Sequence, residues 1–117
     1  MTKTGSPLDR LREVCLCLPE ATEKEAWGDP TFRVGDRIFA MLKTGDGRPS
    51  VWLKVPAGMQ TVLIQADGAS FFKPPYVGHK GWVGIRLDTD PDWDQVANLV
   101  RRSYAMIAPK KLARNVA

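Results

Sequence analysis

Apolar residues recur at helical spacing in three segments of the chain. The first segment begins at Ser6 and Pro7, residue types that favour a helix N-cap and the first helical position, and Pro19 ends it. Its apolar positions are Leu8, Leu11, Cys15 and Leu18. The spacing therefore predicts an amphipathic helix near the N-terminus.

The second helical segment covers residues 59–66 and is predicted to bury Met59, Val62, Leu63 and Ala66. Asp90 and Pro91 predict the start of a long last helix, which Pro109 ends. The apolar stripe of that helix consists of Trp93, Val96, Val100, Tyr104 and Ile107.

Between these helices the apolar positions alternate with period two, which is typical of strands. Residues 31–34 and 37–42 flank Gly35-Asp36, a pair that favours a hairpin turn. Residues 50–55 and 82–87 predict two further strands. Residues 71–81 contain two adjacent prolines and suit a loop or a distorted edge strand. Residues 20–30 are predicted to form a charged loop.

This order of elements predicts an α+β fold, with a single antiparallel sheet and helices packed on one face. Short turns between strands favour antiparallel pairing, and strands that are apolar on one side need cover on that side alone. The 117 residues are close to the usual size of one domain. We therefore predict one domain over residues 1–117, with its core at about 6–112 and a basic C-terminal tail.

The alternation also assigns side chains to the sheet face that the helices leave uncovered. If Val51, Leu53 and Val55 point to the core, as do Val83, Ile85 and Leu87, the residues between them point away. These are Trp52, Lys54, Trp82 and Arg86, and Arg33 joins them from the first hairpin. Such a face can stack bases and contact phosphates, or it can bind an acidic peptide or a small anion.

Two purely structural interpretations of the same face remain open. Trp52 and Trp82 can stack on each other, or residues 71–76 can cap them while Lys and Arg stems cover the rings. Alternatively, a bulge at Gly84 would turn Trp82 inward.

Composition and length of the apolar runs place the chain among soluble proteins. It is 44% hydrophobic and 26% charged, and no apolar run approaches the roughly 20 residues needed to span a bilayer. The N-terminal residues lack the apolar region of a secretory signal, so a cytoplasmic location is expected. Cys15 and Cys17 point to opposite sides of a helix, which excludes a disulfide and places one of them in the core.

The motifs of common enzymes are missing from the sequence. There is no phosphate-binding loop, no nucleophile elbow, and His79 is the single histidine, in a predicted turn. We therefore predict no catalytic residues, no metal and no cofactor.

Charge is distributed unevenly along the chain, whose net charge is +4. No acidic residue follows Asp94. The preference for cations near a helix C-terminus accounts well for Arg101 and Arg102, and less well for the three cations after Pro109. The leading hypothesis is DNA or other nucleic-acid binding, with stacking by Trp52 and Trp82. Its phosphate contacts would be Lys54, Lys80, Arg86, Lys110, Lys111 and Arg114. The alternative is a non-enzymatic protein- or small-ligand-binding domain that uses Arg33, Trp52 and Trp82. The sequence does not predict an oligomeric state.

Six segments together resemble the MmcQ/YjbR family, and their order and spacing carry the resemblance. They are residues 16–20, 27–34, 37–40, 71–78, 80–83 and 108–112. The resemblance runs from about Leu8 to Leu112. It implies a CyaY-like fold with a "double wing" arrangement, and this arrangement gives members of the family the label DNA-binding. It implies no catalytic residues.

Overall fold

Six antiparallel strands form one sheet in this computed structural model, which describes residues 6–45, 47–114 and 116. Their order across the sheet is β1-β2-β3-β4-β6-β5. The strands are β1 (Thr22–Ala26), β2 (Asp29–Val34), β3 (Arg37–Lys43), β4 (Ser50–Lys54), β5 (Phe71–Phe72) and β6 (Trp82–Arg86). Residues 1–5, 46, 115 and 117 of the predicted domain, including most of the N-terminal segment judged not to be a signal, lie outside the described residues.

Four α-helices accompany the sheet in this part of the chain. They are α1 (Pro7–Leu16), α2 (Met59–Ala66), α3 (Trp93–Ile107) and α4 (Lys110–Ala113), and a short 3₁₀ helix covers Gly78–Lys80. Helix α3 packs across β3 and β4, and α1 packs against α3. The predicted α+β class, with one antiparallel sheet and helices against it, is confirmed.

The core lies between the sheet and helices α1 and α3. Tyr104 of α3 is fully buried, and its ring meets the edge of Phe39 in β3 with the centroids 5.4 Å apart. The Tyr104 hydroxyl donates a hydrogen bond to the Pro19 carbonyl at 2.6 Å, which ties α3 to the segment after α1. Burial raises the pKa of the Tyr104 hydroxyl.

Helix α1 begins as its sequence predicts. The Ser6 hydroxyl accepts from the Asp9 amide at 3.2 Å, and the Asp9 carboxylate accepts from the Ser6 amide at 3.3 Å, so the capping box is complete.

Cys15 is buried and Cys17 is exposed, and neither forms a disulfide. The predicted split between one core cysteine and one surface cysteine is confirmed, and burial raises the pKa of the Cys15 thiol.

Two hairpin turns use left-handed backbone. Gly35 and Asp36 have φ of 58° and 64°, which fits the predicted turn between β2 and β3. Trp27 and Gly28 have φ of 55° and 82° and join β1 to β2 in the same way.

Strand β1 was predicted to be a loop and this prediction was wrong, because its residues are exposed on both faces and show no apolar alternation.

The start of α3 and the buried side of α2 also differ from prediction. Asp92, rather than Asp90, caps α3, and its carboxylate accepts from the amides of Asp94 and Gln95. In α2, Val62 is 63% exposed and Ala66 is exposed, whereas Ile64 packs against the core. The short helix docks at the edge of the sheet, so spacing alone does not fix which of its sides is buried.

Candidate functional site

One row of side chains crosses the sheet on the face opposite the helices. Strand pairing aligns Thr31 with Met41, Met41 with Trp52, Trp52 with Gly84, and Gly84 with Phe72. Paired residues in neighbouring strands share one face. The residues between them, such as Val51 and Ile85, belong to the core under the helices. The row therefore lies on the side away from the helices.

Gly84 provides the space in which the ring of Phe72 lies on this face. A β-carbon at Gly84 would overlap the Phe72 ring atoms. The register between β4 and β6 runs without a shift, so the bulge considered at Gly84 is absent. A register shift occurs instead in β2, between Phe32 and Arg33. Phe72 thus partly covers this sheet face, in line with the alternative in which residues 71–76 cap it.

Two adjoining cavities lie above this row. The aromatic cavity has a volume of about 470 Å³. It is lined by Trp27, Met41, Lys43, Trp52, Tyr76 and Val77. The second cavity has a volume of about 420 Å³ and shares Lys43, Trp52 and Tyr76 with the first. It adds Gly45, Ser50, Phe72 and Pro75.

Two highly exposed rings border the aromatic cavity. Trp27 is 76% exposed and Tyr76 is 86% exposed, and they are the two most exposed large hydrophobic side chains of the described chain. Their φ values are 55° and 66°, in the left-handed region. Large side chains rarely adopt this conformation, which costs roughly 1–2 kcal/mol per residue. Backbone strain of this kind concentrates at functional sites.

Trp52 forms the half-buried part of both cavities. Its indole Nε1 donates to the Ser50 hydroxyl at 3.1 Å. The Ser50 hydroxyl in turn donates to the Lys43 carbonyl of the paired strand at 3.5 Å. The polar edge of the ring is therefore satisfied within the sheet, and this hydrogen bond fixes the orientation of the ring.

The Lys43 ammonium lies between two tryptophan rings. Its Nζ is 5.6 Å from the ring centroid of Trp27 and 5.6 Å from that of Trp52. The Asp29 carboxylate holds it from one side, with Nζ and Oδ2 3.7 Å apart, and also accepts from the Thr44 hydroxyl at 3.1 Å. A positive charge is thus held in place where the two cavities meet.

The two predicted tryptophans share a sheet face but differ in their surroundings. Trp52 faces away from the helices as predicted, and Trp82 pairs with Lys54 on the same face. Trp82 is partly buried against the core and is not among the described residues that line the two cavities. Gln60 of α2 donates to the Trp82 carbonyl at 2.5 Å. The second tryptophan that lines the aromatic cavity with Trp52 is Trp27.

Three predicted cations lie on the same face as Trp52. Lys54 is two residues along β4 and half-buried. The Arg86 guanidinium lies over the Phe72 ring, 4.3 Å from its centroid. Arg33 donates to the Thr31 hydroxyl at 3.1 Å and pairs with Asp36 at 3.7 Å, so its charge is partly neutralised.

The remaining predicted cations lie elsewhere. Lys80 is exposed in the 3₁₀ helix. Lys110, Lys111 and Arg114 are exposed in and after α4, which packs against α3 on the helical side of the sheet. The structure therefore does not bring the C-terminal cations together with Trp52.

Three residues that line the aromatic cavity were not predicted from the sequence: Trp27, Lys43 and Tyr76. Trp27-Gly28 carries a signal that could have been used, because a residue followed by glycine between two extended segments suits a type I′ turn. Lys43 continues the alternation of β3 by one residue beyond its predicted end. Tyr76 lies in an irregular loop, where no periodicity indicates its direction.

The fold and this face define an α+β domain with one six-stranded antiparallel sheet, helices on one side and an aromatic cavity on the other. The YjbR family model matches residues 16–106, so the chain belongs to the YjbR family. The structure is similar to the crystal structure of the Deinococcus radiodurans protein DR2400, described as a DUF419 domain, with 25% sequence identity and a TM-score of 0.79. The match covers 97% of this chain and 91% of that chain.

No curated protein matches this sequence. Among the helices of the described residues, none has the length and apolarity that crossing a membrane requires.

Proposed function

We propose that this protein binds single-stranded nucleic acid on the sheet face opposite its helices, with a base stacked in the aromatic cavity. The observation that carries the proposal is the pair of exposed rings, Trp27 and Tyr76, at the border of a cavity that also contains Trp52. Every base has a π face, so aromatic side chains bind bases with little dependence on sequence. The cavity volume of about 470 Å³ lies within the range usual for small-molecule sites.

The concave shape favours a single strand over a duplex. Bases in a duplex are stacked on each other and present only their edges in the grooves. A base that enters a cavity bordered by rings must first leave its stack, and this costs least in a strand that is already single. We therefore expect stronger binding to single-stranded than to duplex DNA.

Cations near the cavity are suited to the phosphates. Lys43 contacts both cavities, and Lys54 lies two residues from Trp52 on the same face. Phosphate contacts orient a strand, while the rings hold its bases. The other predicted cations contribute in this proposal through long-range attraction alone, which salt screens. They are Lys80, Lys110, Lys111 and Arg114.

The test is the fluorescence anisotropy of a labelled oligo(dT) titrated with the protein and with Trp27→Asn and Tyr76→Asn variants. Asparagine tolerates the left-handed backbone, so these changes remove the ring and keep the turn. Each variant should bind roughly 5- to 150-fold more weakly, because stacking contributes about 1–3 kcal/mol per base.

Two control variants separate the aromatic face from the rest of the surface. Val62→Ala removes an exposed apolar side chain from α2, and the Lys110→Ala/Lys111→Ala pair removes charge from the helical side. Both should bind within about two-fold of the parent protein at roughly 0.15 M salt, where the Debye length is near 8 Å. Native affinity in Trp27→Asn and Tyr76→Asn, with loss in the Lys pair, would contradict the proposal.

The second candidate ligand is a small planar molecule, because the aromatic cavity is partly enclosed. The salt dependence of the binding affinity distinguishes such a ligand from a single strand. Each phosphate contact on a single strand contributes a slope of about −0.7 in log affinity against log salt. Two or three contacts therefore predict a slope of roughly −1.4 to −2.1. A slope near zero would favour the small ligand. The proposal assigns no catalytic role, and the cytoplasmic location remains a prediction.

A further inference from the structure

The two cavities above the sheet have similar volumes and a common wall. One has a volume of about 470 Å³ and the other about 420 Å³. Their common residues are Lys43, Trp52 and Tyr76, and each cavity then has its own hydrophobic residues. Met41 and Val77 belong to the first cavity alone. Phe72 and Pro75 belong to the second alone.

The common wall contains one charged group. Among the described residues that line either cavity, Lys43 is the one with a charged side chain. Consecutive bases of a strand are joined through a single phosphate, so two bases in adjoining cavities would place that phosphate at the wall between them. A lysine ammonium has three donors, and the contact with Asp29 leaves others for a phosphate oxygen.

From this geometry we infer that the ligand unit recognised by the site is a dinucleotide, with one base in each cavity and the linking phosphate on Lys43. The inference rests on the proposed binding of single-stranded nucleic acid. It adds the number of bases that the site reads and the residue that contacts the phosphate between them.

The test compares four ligands by isothermal titration at low salt: thymidine 5′-monophosphate, the dinucleotide TpT, TpT with an uncharged methylphosphonate link, and the trinucleotide TpTpT. TpT should bind at least ten-fold more tightly than the monophosphate, because it fills both cavities. TpTpT should gain less than about three-fold over TpT. The methylphosphonate link should weaken TpT binding about three- to ten-fold, because Lys43 loses its anionic partner.

Two variants change the charge at the wall in opposite directions. With Lys43→Met, TpT and its methylphosphonate form should bind alike, whereas the control Lys111→Met, on the helical side of the sheet, should retain the parent protein's preference. Asp29→Asn removes the carboxylate that competes for Lys43, so it should increase the preference for the charged link. A merely structural effect of these substitutions would lower the preference in both variants.

The results that overturn the inference differ from those that overturn the proposed function. Equal affinity for TpT and the monophosphate, or an unchanged preference for the charged link in Lys43→Met, excludes the dinucleotide unit while oligo(dT) still binds. If the parent protein does not bind oligo(dT), the proposed function fails and the dinucleotide inference fails with it.

Discussion

Trp27 and Tyr76 each hold a large ring in solvent on a backbone with positive φ. A protein that needed only a turn at these positions would be more stable with asparagine or glycine there. The Lys43 side chain is likewise held in one place, between two rings and beside Asp29, which costs side-chain entropy. These residues fit a site that is organised before its ligand arrives.

Gly84 gives a test of this face at the scale of one residue. Gly84→Ala should lower the free energy of unfolding by about 1–3 kcal/mol, because the added methyl group displaces the Phe72 ring. Urea denaturation measures the change. Gly45→Ala is the matched control, since a β-carbon there meets no atom within 4 Å and should change the free energy of unfolding little.

The double variant Gly84→Ala/Phe72→Ala completes this test. Once the Phe72 ring is removed, Gly84→Ala should lower the free energy of unfolding less than it does alone, so the two effects should not add. Full additivity would show that the Phe72 ring does not lie on Gly84.

At the scale of elements, local signals in the sequence predict the helices better than the edge strands. The boundaries of α2 follow from apolar spacing, and the start of α1 follows from its capping residues. Both signals act within a few positions. Strand β1 has no such signal, because its exposed residues are held by backbone pairing with β2. Strand β5 is two residues long, too short for a period to show.

Ser103 joins α3 to two strands by hydrogen bonds, and its substitution tests how much these bonds stabilise the packing of the helix on the sheet. It is fully buried, donates to the Phe39 carbonyl of β3 at 2.6 Å, and accepts from the Lys54 amide of β4 at 3.0 Å. Ser103→Ala should lower the free energy of unfolding by about 1–3 kcal/mol, because it leaves buried backbone groups unpaired.

Thr89→Ala serves as the control for Ser103→Ala in the same denaturation experiment. The Thr89 hydroxyl also donates to a backbone carbonyl, that of Arg86 at 3.3 Å, but it is exposed. Water can replace it, so the change should stay within about 0.5 kcal/mol. Equal effects of the two substitutions would show that Ser103 does not link the layers.

At the scale of the whole molecule, the candidate site depends on how the sheet is ordered. Trp27, Trp52 and Tyr76 come from separate segments, and β6 pairs with β4 only after the chain has passed through α2 and β5. Periodicity predicts which face a residue occupies, as it did for Trp52, but not which strands are neighbours. The sequence therefore predicted the fold class and one ring of the cavity, Trp52, but did not predict Trp27.

The same order separates two regions that the sequence combined into one interface. The aromatic cavity lies on one side of the sheet, and the C-terminal cations lie with α3 and α4 on the other. A short strand bound at the cavity would contact Lys43 and leave Lys110 and Lys111 in solvent.

The most direct test of where nucleic acid binds is a ¹⁵N–¹H correlation spectrum of the labelled protein, recorded while oligo(dT) is added. We expect the indole signals of Trp27 and Trp52 to shift, together with the amides of Met41, Lys43 and Tyr76. The indole signals of Trp82 and Trp93 should change little. Shifts confined to residues 101–114, or no shifts at all, would contradict binding at the aromatic cavity.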